Sequence, residues 1–167
     1  MVATRPFKMQ SYPSAEKKRQ TLATQIRARE FITAPGVYDM ISTRIADAQA
    51  HPALYMTGYG VVASHLGVPD AGIASFRDMV TRARTICEGS FTPVIADADT
   101  GYGGLLNVRE TVRGYEAAGV SVIQIEDQIF PKKCGHTPGR EVIACDEMEK
   151  KIKVAVEART DPNFLII

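Results

Sequence analysis

The feature that most constrains the fold is a regular alternation of short apolar segments with longer amphipathic ones. The amphipathic segments predict helices, and the best defined has Ser75 and Asp78 at capping-box spacing, with Gly89 past its end. The short segments predict five strands, at 31–36, 53–58, 93–99, 120–127 and 164–167. Because the inner strands are apolar without alternation, they predict a parallel sheet covered by helices, and hence an α/β fold.

The predicted domain organisation is a short arm followed by a partial barrel. Residues 1–13 are polar and proline-punctuated, which indicates a loose arm, and 14–167 contain the strands and helices. A complete (β/α)8 TIM-type barrel takes about 250 residues, whereas this sequence has 167 and stops within the apolar run "NFLII". We therefore expect the first five β/α units of such a barrel, as part of a longer protein.

Composition excludes several classes of partner. Lys and Arg total 20 against 19 Asp and Glu, a net charge of +1, which offers no electrostatic case for nucleic acid or a membrane surface. No apolar run approaches the roughly 20 residues of a membrane span, and the N-terminus lacks the apolar core of a secretion signal. Three cysteines without CxxC spacing suit a reducing compartment. We expect a cytoplasmic protein.

Polar residues gather where the predicted strands end. In a parallel barrel, all strand C-terminal ends lie on one face, where active sites form. Thr57 and Gly58 end the second strand, Asp97, Asp99 and Thr100 end the third, and Glu126 and Asp127 end the fourth. We expect these side chains to share one rim.

The "DADTGYGG" stretch predicts a cation site. Asp97 and Asp99 are two residues apart, so on a strand they face the same way. At about 5 Å, two carboxylates repel by roughly 3 kcal/mol at an effective dielectric constant near 20, and Mg²⁺ would offset this cost. Alternatively, one Asp caps the next helix and the other faces solvent, but convergence of Glu126 from the next strand favours the metal. The glycines at 101, 103 and 104 predict a plain turn, with anion binding by the backbone as the alternative.

The "GYGVVA" run from Gly58 to Ala63 has the form of a dinucleotide fingerprint. That motif expects an acid at the end of the next strand about 20 residues on. Asp78 falls inside a predicted helix, and Asp97 is too far along the chain. A nicotinamide-dependent dehydrogenase is therefore only a remote alternative.

Cys134 is the candidate reactive thiol. It lies in a Gly/Pro-bounded loop with Lys132, Lys133 and His136, whereas Cys87 belongs to an apolar helical stripe typical of a buried core. Cys-x-His supplies only two ligands and no partner pair follows, so zinc is a poor interpretation. Basic neighbours favour thiolate and burial favours thiol, and the sequence leaves this balance open.

Together, "VYD", "LYMTGYG", "LGVPDAGI", "DADTGYGG" and "IEDQIFPKKCGH" resemble the isocitrate lyase/phosphoenolpyruvate mutase superfamily over most of the chain from about residue 14. The "KKCGH" loop resembles the carbon–carbon lyase branch, which includes the 2-methylisocitrate and 2,3-dimethylmalate lyases. The resemblance implies an α/β barrel, usually a homotetramer. It also implies a 2-oxo acid site that binds Mg²⁺, with Mn²⁺ as an alternative, and a mobile gating loop.

The resemblance also implies roles for individual residues. Asp97 and Asp99 resemble the magnesium-associated pair, with some contacts through water, and Glu126 resembles the next acid of that shell. Cys134 resembles the general acid, and Tyr55 or Asp70 would take a hydroxyl proton. The other implied site residues are the loop partners Lys132, Gly135 and His136 and the substrate-carboxylate segment with Thr57, Gly58 and Tyr59.

The sequence also departs from the family pattern. Thr57-Gly58-Tyr59 stands where Ser-Gly-Gly is usual, and Gln124 stands where the fourth strand often has histidine. An arginine expected after the fifth strand, with further acids and an asparagine, would lie past Ile167.

The implied function is Mg²⁺-dependent cleavage of a carbon–carbon bond in a small 2-hydroxy di- or tricarboxylic acid. The products would be a 2-oxo acid and a carboxylate. An oxaloacetate hydrolase or decarboxylase is an alternative on the same scaffold, and a phosphonate mutase or hydrolase fits Cys134 less well. The non-enzyme alternative is an inactive half-barrel that binds anions.

Overall fold

The computed structural model describes residues 11–167. The strands are β1 (Gly36–Val37), β2 (Leu54–Met56), β3 (Val94–Asp97), β4 (Val122–Gln124) and β5 (Leu165–Ile166). The helices are α1 (Ala15–Arg27), α2 (Met40–Asp47), α3 (Gly58–Leu66), α4 (Phe76–Glu88), α5 (Leu105–Ala117) and α6 (Cys145–Ala158).

The five strands form one parallel sheet in which each strand pairs with the next along the chain. The register places Tyr55 opposite Ile95 and Asp97 opposite Gln124. Sequential parallel pairing with a helix in each connection is the arrangement of successive units of a β/α barrel. The predicted α/β fold is confirmed.

The main core lies between the sheet and helices α4, α5 and α6. Tyr115 of α5 and Phe164, just before β5, are its largest fully buried side chains. Cys87 is buried in the same cluster, as its helical stripe predicts, and this burial raises the pKa of its thiol to about 12. The sheet is therefore fixed on its helical side by apolar packing.

Helix α1 is bound to the loops that precede the strands. Lys18 is buried and donates hydrogen bonds from Nζ to the carbonyls of Cys87, at 2.6 Å, and Ser90. Arg19 donates from Nε to the carbonyl of Val120 at 2.9 Å and also binds the carbonyl of Glu116. Because these contacts lie at the N-terminal ends of β3 and β4, the opposite rim, where the strands end, is left for the site.

Two local predictions need correction. The first strand was predicted at 31–36 but lies at Gly36–Val37, because Phe31 is 91% exposed and does not join the core. Helix α3 was missed, although Thr57 caps it by accepting a hydrogen bond from the Gly60 N–H at 3.2 Å. The predicted arm at 1–13 stays a prediction: residues 1–10 lie outside the described part, and in the remainder Tyr12 packs against Phe91 with ring centroids 4.5 Å apart.

The helices within 11–167 are 8 to 14 residues long, whereas a membrane-spanning helix needs roughly 20 residues. None of them is both long enough and apolar enough to cross a bilayer.

Candidate active site

Acidic residues meet where β3 and β4 end. Asp97 is the last residue of β3, and Asp99 and Glu126 lie two residues beyond β3 and β4. The two chains stay paired past the strands, because the Ala98 N–H donates to the Gln124 carbonyl at 2.9 Å and the Glu126 N–H donates to the Asp99 carbonyl at 2.8 Å. This backbone pairing places the carboxylate-bearing residues of two strands side by side.

Asp99 does not reach the cluster by strand alternation, so that part of the sequence argument is wrong. Its φ is +53°, in the left-handed region, and it lies in a turn rather than on the strand. The Asp99 N–H donates to Asp97 Oδ1 at 2.9 Å, and Asp99 Oδ1 accepts from the Thr100 N–H at 2.8 Å. The turn, rather than a shared strand face, brings the two acids together.

Gly58 allows helix α3 to begin directly against Asp97. The Gly58 N–H donates to Asp97 Oδ2 at 3.1 Å. A Cβ added at Gly58 would lie 2.4 Å from that same oxygen, so no larger residue fits without displacing the carboxylate. Since Asp97 occupies this first N–H of the helix, the dinucleotide alternative loses one of the donors that a pyrophosphate would use.

Lys132 is the buried cation of this rim. Its Nζ lies 2.7 Å from Asp70 Oδ2 and 3.6 Å from Asp99 Oδ2, and its side chain is 3% exposed. Burial alone would lower the pKa of Lys132, but the hydrogen bond to Asp70 and the charges of Asp99 and Asp97 outweigh it and raise the pKa. Lys132 is therefore a permanent ammonium that joins the loop before α4 to the loop after β4.

The rim places four carboxylates, those of Asp70, Asp97, Asp99 and Glu126, around the ammonium of Lys132. Burial raises the pKa of Asp97, Asp99 and Glu126, and hydrogen bonds and Lys132 offset only part of this effect. Among residues 11–167, no group of three or more His, Cys, Asp or Glu side chains is arranged so that it could hold a metal ion. The donors are hard oxygens, which fits Mg²⁺ held by few carboxylates and several waters.

Tyr55 and Gln124 form a polar pair across β3. The Tyr55 hydroxyl donates to Gln124 Oε1 at 3.0 Å. Burial, with the charges of Asp97 and Glu126, raises the pKa of Tyr55 above its ordinary value. The side chain therefore stays a neutral phenol near pH 7, which suits a hydrogen-bond donor better than a base.

Two buried tyrosines support the end of β3. The Tyr115 hydroxyl donates to the Asp97 carbonyl at 3.0 Å and lies 2.7 Å from the Tyr102 hydroxyl. Sequence reasoning missed both residues, and the only available signal was the position of Tyr102 inside the "DADTGYGG" turn. They fix the backbone from which Asp97 and Asp99 project.

Cys134 lies in a loop that is closed at its base. Gln128 forms an antiparallel bridge with Val142, and the Ile143 N–H donates to the Asp127 carbonyl at 2.9 Å. The Cys134 Sγ lies 3.7 Å from Nδ1 of His136. The neighbouring lysines point elsewhere, since Lys132 binds Asp70 and the Lys133 ammonium donates to the Gly139 carbonyl at 2.6 Å.

The structure thus brings together some of the expected site residues and separates others. Asp70, Asp97, Asp99, Glu126 and Lys132 form one electrostatic cluster, with Tyr55 adjoining it. Thr57 and Gly58 begin α3 beside this cluster, whereas Tyr59 is 59% exposed. Cys134 and His136 contact each other on the loop, and Gly135 is exposed.

Comparison with known proteins identifies the family. Residues 22–167 match the model of the family described as phosphoenolpyruvate phosphomutase. The chain is 49% identical over 154 residues to 2,3-dimethylmalate lyase from Eubacterium barkeri, covering 92% of this chain and 52% of that protein. It is 38% identical over 151 residues to isocitrate lyase from Haloferax volcanii, covering 90% and 44%. The chain belongs to the phosphoenolpyruvate mutase/isocitrate lyase superfamily.

Solved structures agree with this assignment. A structure of oxaloacetate acetylhydrolase with the inhibitor 3,3-difluorooxalacetate superposes with a TM-score of 0.84 at 41% identity, covering 92% of this chain and 52% of that one. A 2,3-dimethylmalate lyase structure gives 0.83 at 40% identity with the same coverage. A phosphonopyruvate hydrolase complex with oxalate and Mg²⁺ gives a TM-score of 0.81 at 33% identity, covering 89% of this chain and 50% of that one. The chain spans about half the length of these relatives.

Proposed function

We propose that this chain provides the cation-binding carboxylates and the proton donor of a Mg²⁺-dependent carbon–carbon lyase site. The observation that carries the proposal is the cluster of Asp97, Asp99 and Glu126, all partly buried at the strand ends, with Lys132 leading into the Cys134 loop. Its substrate is a small 2-hydroxy dicarboxylic acid of the 2,3-dimethylmalate type. The 49% identity to a 2,3-dimethylmalate lyase supports this choice over the larger 2-methylisocitrate.

Asp97, Asp99 and Glu126 are the residues that would hold the cation, with Mn²⁺ as the alternative to Mg²⁺. When bound, the cation supplies Lewis-acid stabilisation of the negative charge on the substrate oxygens. The protein fixes these carboxylates beforehand, since Asp97 accepts from two backbone N–H groups and Glu126 accepts from Gln128 Nε2 at 2.6 Å. Because these carboxylate oxygens are already ordered, the reaction does not bear the free-energy cost of orienting them.

The cleavage balances with one base and one acid. Loss of the hydroxyl proton drives breakage of the C2–C3 bond, so C2 becomes the carbonyl carbon of pyruvate and the electron pair goes to C3. Protonation of C3 then gives propionate. Since Tyr55 donates its hydroxyl proton to Gln124, we assign the base to Asp70, which is paired with Lys132.

Cys134 is the proposed donor of the proton to C3. Lys132 anchors the start of its loop to the rim, and closure of the part that carries Cys134 would bring the thiol to the carbanion and reopening would release product. His136, 3.7 Å from the thiol, is the neighbouring group that would restore the proton. This arrangement explains why a cysteine stands on a loop rather than on the strand end.

An oxaloacetate hydrolase is the second candidate. The observation that favours it is the TM-score of 0.84 and 41% identity to oxaloacetate acetylhydrolase, values equal to or above those for the dimethylmalate lyase structure. The same carboxylates would serve: water would add to the C2 carbonyl of oxaloacetate, the C2–C3 bond would break to give oxalate, and protonation of C3 would give acetate.

Product analysis with the full chain separates the two candidates. The protein is incubated with Mg²⁺ and either 2,3-dimethylmalate, 2-methylisocitrate or oxaloacetate, and products are identified by mass spectrometry. The proposal expects pyruvate and propionate from 2,3-dimethylmalate, with loss of activity in EDTA. Oxalate and acetate from oxaloacetate, with the other two substrates intact, would replace the lyase by the hydrolase.

A further inference from the structure

Gln128 is a buried residue that takes no part in the proposed proton transfers. Its side-chain amide makes three hydrogen bonds. Nε2 donates to Glu126 Oε2 at 2.6 Å and to the Lys133 carbonyl at 3.1 Å, and Oε1 accepts from the Lys133 N–H at 3.2 Å. One amide therefore binds a carboxylate of the cation cluster and both backbone groups of the residue before Cys134.

The Gln128 side chain makes the same pair of hydrogen bonds to the Lys133 backbone that a neighbouring β-strand would make. They hold the N–H and the carbonyl of Lys133 together, which fixes the direction in which the chain enters Cys134. The backbone of Gln128 is itself fixed by its bridge to Val142 at the base of the loop. The loop is thus held from inside by an amide rather than only by its two ends.

The third hydrogen bond, from Gln128 Nε2 to Glu126 Oε2, links the loop to the cation cluster. Gln128 engages only Oε2 of Glu126, and Glu126 is held next to Asp99 by its backbone N–H. A cation that orders the Glu126 carboxylate also orders the acceptor of Gln128 Nε2. A bound cation would therefore favour the amide orientation that holds Lys133, because the bonds of a shared amide strengthen one another.

We propose that Gln128 is a positioning residue that couples the cation cluster to the conformation of the Cys134 loop. The inference rests on the proposed function for the meaning of the cation and of Cys134, but the coupling itself is a property of the loop. In the held state, the Gln128 amide is hydrogen-bonded to both backbone groups of Lys133. Binding of Mg²⁺ near Glu126 stabilises this held state. Loss of the Gln128 amide removes that effect and leaves the carboxylates in place.

Tryptic cleavage after Lys133 reports directly on the held state. To be cut, the Lys133 carbonyl must enter the oxyanion hole of the protease, so the amide of Gln128 must first release it. The probe is the full chain with and without Mg²⁺, and the readout is the rate at which a fragment beginning at Cys134 appears in mass spectrometry. No turnover is needed for this measurement.

The main variant is Gln128→Met, which keeps the side-chain length and removes all three hydrogen bonds. We expect cleavage after Lys133 to rise by about 5- to 30-fold, the range that corresponds to losing one or two net hydrogen bonds. Mg²⁺ should slow cleavage in the parent protein and have little effect in the variant. Thr137→Ala is the matched control, because Thr137 is exposed in the same loop and its bond to the Cys134 carbonyl comes from its backbone N–H.

Buried Cys87 serves as an internal measure of folding, because its alkylation requires the core to open. If Gln128→Met exposes Cys87, Gln128→Asn takes its place. That variant keeps the amide but shortens the side chain by one methylene, so it no longer spans from Glu126 to Lys133 and the same loss of Mg²⁺ protection is expected.

The outcomes are separable. An undiminished Mg²⁺ effect in the folded variant, or no Mg²⁺ effect in the parent, overturns the coupling. If protection is lost in the variant but the parent cleaves none of the proposed substrates, the coupling stands and the proposed lyase function fails. If lyase activity is present and protection is unaffected, the function stands and Gln128 is only a structural residue.

Discussion

Lys132 Nζ lies 2.7 Å from Oδ2 of Asp70, and both side chains are buried, at 3% and 7% exposure. This ion pair joins two loops that are 62 residues apart in sequence. The same two loops touch again where Gly72 lies against the Phe130 ring. The start of the Cys134 loop is therefore anchored at Lys132 to the loop before α4.

Removing one partner of this pair should destabilise the protein strongly. Lys132→Met leaves Asp70 buried without its ammonium, so the free energy of unfolding in urea should fall by about 3–5 kcal/mol. Lys132→Met combined with Asp70→Leu should recover part of the loss, since no charge is then left unpaired. The control is Lys150→Met, whose partner Asp146 is in an exposed pair at 2.9 Å, and no measurable change is expected there. Equal effects of the two Lys variants would contradict the assigned role.

The cation assignment predicts loss of turnover without loss of fold. Asp97→Ala and Asp99→Ala should each abolish Mg²⁺-dependent turnover of the full chain, while far-ultraviolet circular dichroism stays unchanged. Asp97→Ala should also be the less stable of the two, because Asp97 accepts the Gly58 N–H at the start of α3. Asp127→Ala is the control, since Asp127 follows Glu126 but is exposed. Parent-like turnover in either variant would remove the metal assignment.

The three cysteines predict three different outcomes. Cys134→Ser should lower turnover by roughly 10²–10⁴-fold, because a hydroxyl is a far poorer proton donor than a thiol, and should leave oxalate and Mg²⁺ binding nearly intact. Cys87→Ser should instead lower the free energy of unfolding by about 1–3 kcal/mol, because it buries a hydroxyl in the apolar core. Cys145→Ser, at an exposed position, should change neither. Full turnover in Cys134→Ser would rule out the proposed proton donor.

The cap of α4 predicts an acid-dependent loss of stability. The Ser75 hydroxyl and backbone N–H both donate to Asp78, and these bonds lower the pKa of Asp78. A carboxyl with a lowered folded pKa contributes stability that is fully present above its unfolded pKa of about 3.9 and is lost as pH falls through the folded value. Asp78→Asn should therefore lower the melting temperature at pH 7, and the difference from the parent should vanish in strong acid. The exposed Glu157→Gln should show no such pH-dependent difference, and a constant gap for Asp78→Asn would contradict the charge-based explanation.

The full chain is expected to be a homo-oligomer, as its family resemblance implies. Ile41 and Ile45 lie one turn apart on α2 and are both largely exposed, at 74% and 64%, which supports a further contact surface. Light scattering should give a mass that is a multiple of one chain, with a tetramer as the expected state. A monodisperse monomer that unfolds cooperatively would contradict this prediction.

The sequence by itself determined the elements whose signals are local. The capping box of Ser75 and Asp78, the second to fifth strands and the stripe that buries Cys87 all follow from neighbouring residues, and the structure confirms each. The order of strands and helices was enough to place Asp97 and Glu126 at one rim, because parallel strands end on one face. Where the local signal was ambiguous, as at Phe31, sequence reasoning placed the strand too early, since only packing decides which apolar residue is buried.

Tertiary structure alone decided how the site residues meet. The left-handed turn at Asp99, the direction of Lys132 towards Asp70 rather than Cys134, and the three bonds of Gln128 all depend on contacts between separate loops. A sequence lists the charges of such loops but does not say which charges face each other. The reason is physical: a long side chain has several rotamers of similar energy, and the burial and partners that select one appear only after the chain has folded.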